Sequence, residues 1–199
     1  MDYTVRRMMK EDIPQATEID REAFADQPYV SFHRELENRS SVYFVAEVNS
    51  DLSEDRKGQG LFSWLKRFSS STRYSIYIGG YAGIWILLDE AHLSAIAVRQ
   101  RLQRRGIGEL LLMSIIEYAM SLPVDVVTLE VRASNLAAQS LYRKYGFGEA
   151  EIRRHYYTNN LEDAIIMTTP PINSSSYRTF LQDSRQEYYK KRYDGLPCP

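Results

Sequence analysis

The sequence predicts one α/β (α+β) domain of about seven strands flanked by about four helices. Three observations carry this. Seven short runs are rich in β-branched and aromatic residues and are bounded by turn signals. Four segments repeat apolar residues at helical spacing. One run, Val124–Val131, is almost wholly apolar, as expected of a buried central strand. The domain is expected to cover residues 1–171, with an inserted excursion at 49–75, and a polar tail is expected at 172–199.

Tyr3–Arg7 alternates and reads as a short strand. Asp12-Ile13-Pro14-Gln15 reads as a helix start, with an acidic cap, proline in the first turn and glutamine three residues after the cap. Ile13, Ala16, Ile19, Ala23 and Phe24 then follow helical spacing. A second helix is expected over Val30–Arg39, and a strand over Val42–Val48. The excursion is polar and turn-rich, except for a small apolar stripe of Leu61, Phe62, Trp64, Leu65 and Phe68. That stripe reads as docking on the domain itself or on a partner. The sheet resumes at Ser75–Leu88, where Gly79-Gly80 and Gly83 suggest a bulge or a close backbone approach. Ala91–Val98 is the next strand, and a long helix over 106–121 is ended by Pro123. After the central strand, Ser134–Tyr145 is a helix capped by Ser134 or Asn135 and closed by Gly146. Strands at 149–157 and 164–169 complete the core, Pro170-Pro171 ends it, and the tail reads as partly helical or disordered.

Composition excludes several classes. Among 199 residues, 25 are Lys or Arg and 26 are Asp or Glu, so the net charge is −1, unlike a strongly basic nucleic-acid binder. One cysteine, Cys198, excludes a disulfide framework and a multi-cysteine zinc site, and fits a cytoplasmic location. His33, His92 and His155 show no metal-ligand spacing, so no metal is expected. No run approaches the ~20 apolar residues of a membrane span, and the N-terminus lacks a signal peptide's apolar stretch. A monomer or weak oligomer is expected.

The most informative segment runs from Ile96-Ala97-Val98 to Arg104-Arg105-Gly106-Ile107-Gly108-Glu109. A strand enters a loop, and the loop turns into a helix with two glycines in its first turn. Free N–H groups and the positive dipole end of such a helix form an anion site. Glycine lets a phosphate approach the backbone, and the arginines add charge, so the natural ligand is a diphosphate. The other reading is a helix start that uses glycine only for its turn. The dinucleotide fingerprint is excluded by leucine at 111, and a P-loop by the missing Gly-Lys-Ser/Thr.

The second segment is Leu129-Glu130-Val131-Arg132-Ala133-Ser134-Asn135, continuing to Tyr142. Glu130 is the lone carboxylate of an apolar strand, either at a solvated edge or as a positioned base in a cleft. Asn135 and Tyr142 share one helix face about 10 Å apart, which suits a long extended ligand. Taken singly, Asn135 reads as a helix cap and Tyr142 as a core residue.

These motifs resemble the signatures of the GCN5-related N-acetyltransferases (GNAT). Arg104-Arg105-Gly106-Ile107-Gly108 resembles the first, and Asn135-Leu136-Ala137-Ala138 with Leu141-Tyr142 and Tyr145-Gly146-Phe147 the second. Residues 129–135, Ile152–Tyr157 and Glu162–Met167 resemble more narrowly the RimI group, the ribosomal-protein alanine N-acetyltransferases. The resemblance implies a central mixed, mostly antiparallel twisted sheet, acetyl-coenzyme A as co-substrate and a protein N-terminus, a ribosomal one beginning with alanine, as partner. It implies that Ile96, Ala97 and Val98 bind the acetyl carbonyl and pantetheine. Arg104, Arg105, Gly106, Ile107, Gly108 and Glu109 would hold the pyrophosphate, and Asn135 the pantetheine arm. Glu130 matches the family's general base and Tyr142 its general acid. Glu109 is unusual at its place in the motif and is expected to point outward.

On the substrate side, the resemblance implies that Tyr156 and Tyr157 bind peptide backbone, with ordinary strand packing as the other reading. Asp89, Glu90, Glu162 and Asp163 are expected to lend a negative field, Glu90 being the one assigned to substrate binding. His92, beside the acetyl-binding strand, either shares the base role or is a partly buried strand residue. Two other functional readings stand beside the peptide enzyme. One is an acetyltransferase of small molecules or lysine side chains; the other is a non-catalytic coenzyme A-binding module. Residues 49–75 and 172–199 each hold five basic and three acidic side chains, which leaves an acidic body of −5. With Cys198 in a tail, direct transfer without a covalent enzyme intermediate is expected.

Overall fold

The computed structural model describes residues 2–25, 30–49 and 76–193. Apart from Asn49, the excursion at 49–75 with its apolar stripe lies outside these residues, as does Cys198. Seven strands are described: β1 (Asp2–Arg7), β2 (Ser41–Asn49), β3 (Tyr77–Leu87), β4 (Glu90–Val98), β5 (Val126–Arg132), β6 (Gly148–Tyr157) and β7 (Glu162–Thr168). Five α-helices accompany them: α1 (Ile13–Ala23), α2 (Phe32–Glu37), α3 (Ile107–Ala119), α4 (Leu136–Lys144) and α5 (Ser175–Tyr193). They form one sheet in the order β1-β2-β3-β4-β5-β7-β6, with β4 and β5 the parallel neighbours and every other pair antiparallel. No described helix is long and apolar enough to cross a membrane.

The sheet is covered on both faces. Eight side chains of α3 are buried, and they pack with Phe44, Ala82, Leu93, Val127 and Leu129 in the larger core. On the other face Ile13, Ala16 and Ile19 of α1 and Phe32 of α2 meet Tyr43 and Tyr81. Phe32 stands edge-on to both tyrosine rings, the geometry that brings a positive ring edge to a negative face.

The start of α1 differs from the expected cap. Asp12 makes no cap bond to α1; it accepts from Met9 N–H at 2.8 Å and pairs with Arg6. Gln15 reaches instead to the edge of β3, donating to the Ile76 carbonyl and accepting from Ile78 N–H. Tertiary partners for both side chains outweighed the local ones. At α4 the cap is as read: Asn135 accepts from Ala138 N–H at 3.1 Å, and Gly146 closes the helix at φ 83°.

The tail follows the helical one of its two readings and adds a place in the core that neither gave. Residues 175–193 form a 19-residue helix, and Tyr177, Leu181 and Tyr188 belong to the main core. Tyr177 donates to the Tyr145 carbonyl at 2.8 Å, so the start of α5 is tied to the end of α4. The helix is polar overall but presents three large apolar side chains on one side, which the tyrosine-rich composition concealed.

Two features shape the middle of the sheet. Opposite Gly83 and Ile84 the register jumps from Ala95 to Leu93, so Ser94 is a bulged residue in β4. The parallel pairing of β4 with β5 ends at Leu93 and Leu129. Beyond the bulge the two strands part, and among the described residues the edge of β4 that faced β5 has no strand partner from Ser94 to Val98.

Candidate active site

The parting strands open a cavity of about 880 Å³. Its walls are β4 beyond the bulge, the inner side chains of β5, the first turn of α3 and one face of α4. Ala23 and Phe24, at the end of α1, close one side.

The end of β4 is anchored before the chain enters the loop. Arg99 is buried; it donates to the Ile78 carbonyl at 3.0 Å and pairs with Glu18 and Glu22 of α1. The chain then turns at two left-handed positions, Arg104 at φ 62° and Gly106 at φ 83°. Arg104 is a non-glycine residue held in this sparsely populated region, a kind of strain that gathers at functional loops. Gly106 is the α3 N-cap, and the first intrahelical bond runs from Leu110 N–H to its carbonyl. The N–H groups of Ile107, Gly108 and Glu109 therefore have no acceptor one turn earlier. A Cβ on Gly108 would meet nothing closer than Val98 at 3.7 Å and Leu141 at 3.9 Å, both cavity walls. The protein itself does not require glycine there; a ligand drawn close to the backbone would.

A diphosphate-bearing coenzyme fits this cradle, with Arg104 and the α3 first turn at one end and the cleft between β4 and β5 running away from it. Ile96, Val98, Arg104, Gly106, Ile107, Gly108, Glu109 and Asn135 all line the cavity. Ala97 and Arg105 do not. Ala97 alternates to the opposite face of β4 and joins the α1 core, so only its backbone is available. The Arg105 carbonyl is held from behind by the Arg192 guanidinium of α5. Glu109 does not point outward: its carboxylate accepts from Tyr145 Oη at 2.8 Å and pairs with Lys144. Its charge is thus turned to α4.

Tyr142 lies in the cavity wall, buried and tilted against Phe147. Its hydroxyl makes no hydrogen bond among the described residues. Burial pushes this phenol well above the usual tyrosine range, because the phenolate would lose its hydration. Asn135 caps α4, as one of its two readings had it, and it also lines the cavity.

Glu130 is a cavity residue with both carboxylate oxygens engaged. Oε2 lies 2.8 Å from His92 Nε2, and Oε1 accepts from Arg153 Nη1 at 3.0 Å. His92 is held in turn by Thr128 Oγ1, 3.0 Å from its Nδ1, and stacks on Trp85. The His92 hydrogen bond, and then Arg153, hold the Glu130 carboxyl below its usual range against the opposing effect of burial. The polar chain Thr128–His92–Glu130–Arg153 spans three strands.

Of the peptide-side residues, Tyr157 lines the cavity, whereas Tyr156 and Glu90 do not. The β6 register slips between Arg153 and Tyr157, with His155 left-handed at φ 54°. That bulge turns Tyr157 inward and leaves Tyr156 exposed. The Arg132 guanidinium lies 3.8 Å from the Tyr157 ring centre. Burial, opposed by Arg132, pushes the Tyr157 phenol up to about 12. Glu90 opens β4 at the end away from the cleft, and Asp89 precedes it. Glu162 is occupied by Arg132 at 2.9 Å and Ser134 N–H at 2.8 Å. Asp163 accepts from His155 N–H. Of the four acidic residues, Glu162 is thus neutralised by a local cation, and Asp163 is engaged by a backbone N–H. Arg153 was not singled out in the sequence. Its place depends on the register across β7, where Glu130 faces Ile166 and Arg153 faces Ala164, two residues apart and so on one face.

Comparison with known proteins agrees with this architecture. The profile described as the Acetyltransferase (GNAT) family matches residues 6–147. A Bacillus subtilis (strain 168) protein, provisionally named a [ribosomal protein bS18]-alanine N-acetyltransferase, is 34% identical, covering 82% of this chain and 92% of its own. An N-alpha-acetyltransferase of Sulfurisphaera tokodaii is 32% identical over 85% of this chain and 93% of its own. The solved ribosomal-protein-S18-alanine N-acetyltransferase from Escherichia coli superposes with a TM-score of 0.65 and 31% identity, covering 85% of this chain and 94% of that one. A sheet split beside a glycine-led helix, together with a family match across both motifs, makes this chain an acyltransferase that belongs to the GNAT acetyltransferase family.

Proposed function

We propose that the protein transfers acetyl from acetyl-coenzyme A to the N-terminal α-amine of a protein, a ribosomal protein beginning with alanine. The observation that carries this reading is Glu130: a carboxylate in the cleft wall, backed by His92 at 2.8 Å and bordered by Tyr157. The relatives named for an N-terminal alanine or an N-α-amine support the same substrate class.

The thioester supplies the acetyl group and a thiolate leaving group. The residues of this chain do the rest. Arg104 and the N–H groups of Ile107, Gly108 and Glu109 hold the diphosphate. Asn135 and the free edge of β4 hold the arm, with β4 N–H groups directed to the carbonyl oxygen where negative charge develops. An α-amine of pKa ~8 is largely protonated at neutral pH. Glu130, directly or through one water, takes its proton so that the nitrogen can form the C–N bond. His92, hydrogen-bonded behind the carboxylate, fixes its direction and shares the proton. As the C–S bond breaks, Tyr142 Oη donates a proton to the thiolate, and the second proton lost by the nitrogen passes through water to restore the phenol.

The test is a peptide panel varied at the first two residues, incubated with acetyl-coenzyme A and read by mass spectrometry. Acetyl on the α-amine of an Ala-initiated peptide is expected. Label confined to lysine side chains, or absent from every peptide, overturns the reading.

A further inference from the structure

The base proposed for the reaction is fully engaged before any substrate arrives, and its two partners are not equivalent. His92 is 15% exposed, stacked on Trp85 and held at its far nitrogen by Thr128, so it cannot leave cheaply. Arg153 is 46% exposed and comes from β6, the outermost strand of the sheet. It stands immediately before the slip in the β6 ladder, where backbone pairing is interrupted. A second carboxylate is within its reach: Glu151 Oε2 lies 3.9 Å from Arg153 Nε. Arg153 therefore has somewhere to go, and His92 does not.

A guanidinium and an ammonium ion present the same features to a carboxylate, one positive charge and N–H donors. The α-ammonium of a peptide approaching Glu130 would meet Arg153 already in that position. We propose that Arg153 is a positioning residue that occupies the substrate amine's place on Glu130 and is displaced to Glu151 when the peptide N-terminus binds. While the site is empty, Arg153 spares Glu130 the cost of an unpaired charge in the cleft wall. When it leaves, the ammonium of the peptide takes its place on Glu130, so the carboxylate stays paired throughout the exchange. The other charged or titratable groups around Glu130 are His92 from β4, Arg132 on β5 and Tyr157 on β6. None of them combines exposure with an alternative acidic partner in this way; Arg132 is 20% exposed and already bound to Glu162.

The inference rests on Glu130 receiving the peptide amine, and the experiment separates the two. Steady-state kinetics with an Ala-initiated peptide are compared for the wild-type protein, Arg153→Ala, Arg153→Gln and Arg153→Lys. Breaking a half-exposed ion pair is worth about a two- to five-fold change in an equilibrium. The alanine and glutamine variants should therefore lower the peptide KM by about that factor and raise kcat/KM, with the KM for acetyl-coenzyme A at its wild-type value. Arg153→Lys should stay near wild type. Millimolar methylguanidinium should raise the peptide KM of Arg153→Ala back towards wild type and leave the wild-type protein unaffected. A peptide KM equal to or above wild type in both neutral variants, with α-amine product still formed, overturns the displacement proposal alone. A wild-type protein that labels no α-amine overturns the reading of Glu130 and this proposal with it.

Discussion

At the scale of single residues, the site separates one carboxylate from one phenol by their surroundings. Hydrogen bonds from His92 and Arg153 keep Glu130 ionised, and burial keeps Tyr142 protonated. The roles proposed for them, base and acid, need those opposite states at the same pH, and environment sets each. Glu130→Gln should lower kcat by at least about 10²-fold, and Tyr142→Phe by about 10- to 10²-fold. Neither should change the affinity for coenzyme A, measured by calorimetry. Because burial raises the Tyr142 phenol above its ordinary value near 10, kcat should show no alkaline loss from it below about pH 10. An alkaline limb near pH 8 that disappears in Tyr142→Phe would contradict this.

At the scale of elements, the cofactor loop is built from two glycines with different duties. Gly106 serves the fold. Its φ of 83° is costly for any side chain, and a Cβ would meet Tyr188 at 3.0 Å and Arg192 at 3.1 Å, both from α5. Gly108 is left the duty proposed for it towards the ligand, since its nearest neighbours leave room for a Cβ. Gly106→Ala should cost about 1–2 kcal/mol and lower Tm by several degrees. Gly108→Ala should leave Tm near wild type yet weaken coenzyme A binding by about ten-fold. Thermal unfolding and calorimetry on the two variants check this. Equal loss of Tm in both would refute the division. The same geometry gives α5 its role. Tyr177 holds the end of α4, while Tyr188 and Arg192 back the turn into α3. One helix therefore braces both helices that line the cavity.

At the scale of the whole molecule, ion pairs knit distant parts of the chain together and make stability depend on acid. Glu162, hydrogen-bonded by Ser134 and paired with Arg132, has its carboxyl held down at about 2 from an ordinary 4.5. A depressed carboxyl stabilises the fold above its unfolded value and loses that effect as pH falls through its folded value. Glu162 should thus contribute fully above about pH 5 and progressively less between about pH 4.5 and 2. Urea unfolding at several pH values should show a shallower acid decline in Glu162→Gln than in the wild-type protein. Identical acid slopes would show that the pair does not act this way.

The elements were legible in the sequence within a few residues, because strand and helix periods are local properties of the chain. The strand–loop–helix motif and the pair Asn135 and Tyr142 were legible for the same reason: each is one contiguous segment whose chemistry is set by spacing. Other features depended on contacts between distant segments. Asp12 and Gln15 had convincing local roles and took tertiary ones. Glu109 was read from its position in a motif and turned to the end of α4 for Lys144 and Tyr145, 35 and 36 residues away. Residues 175–193 looked polar, and only the faces of α3 and α4 decide that three of their side chains are core. By itself the sequence determined the order of elements and the residue types of a coenzyme site. The tertiary structure decided which charges meet. Glu130, His92 and Arg153 come together because the registers of β4, β5, β7 and β6 align them on one face, and register is fixed by pairing between strands.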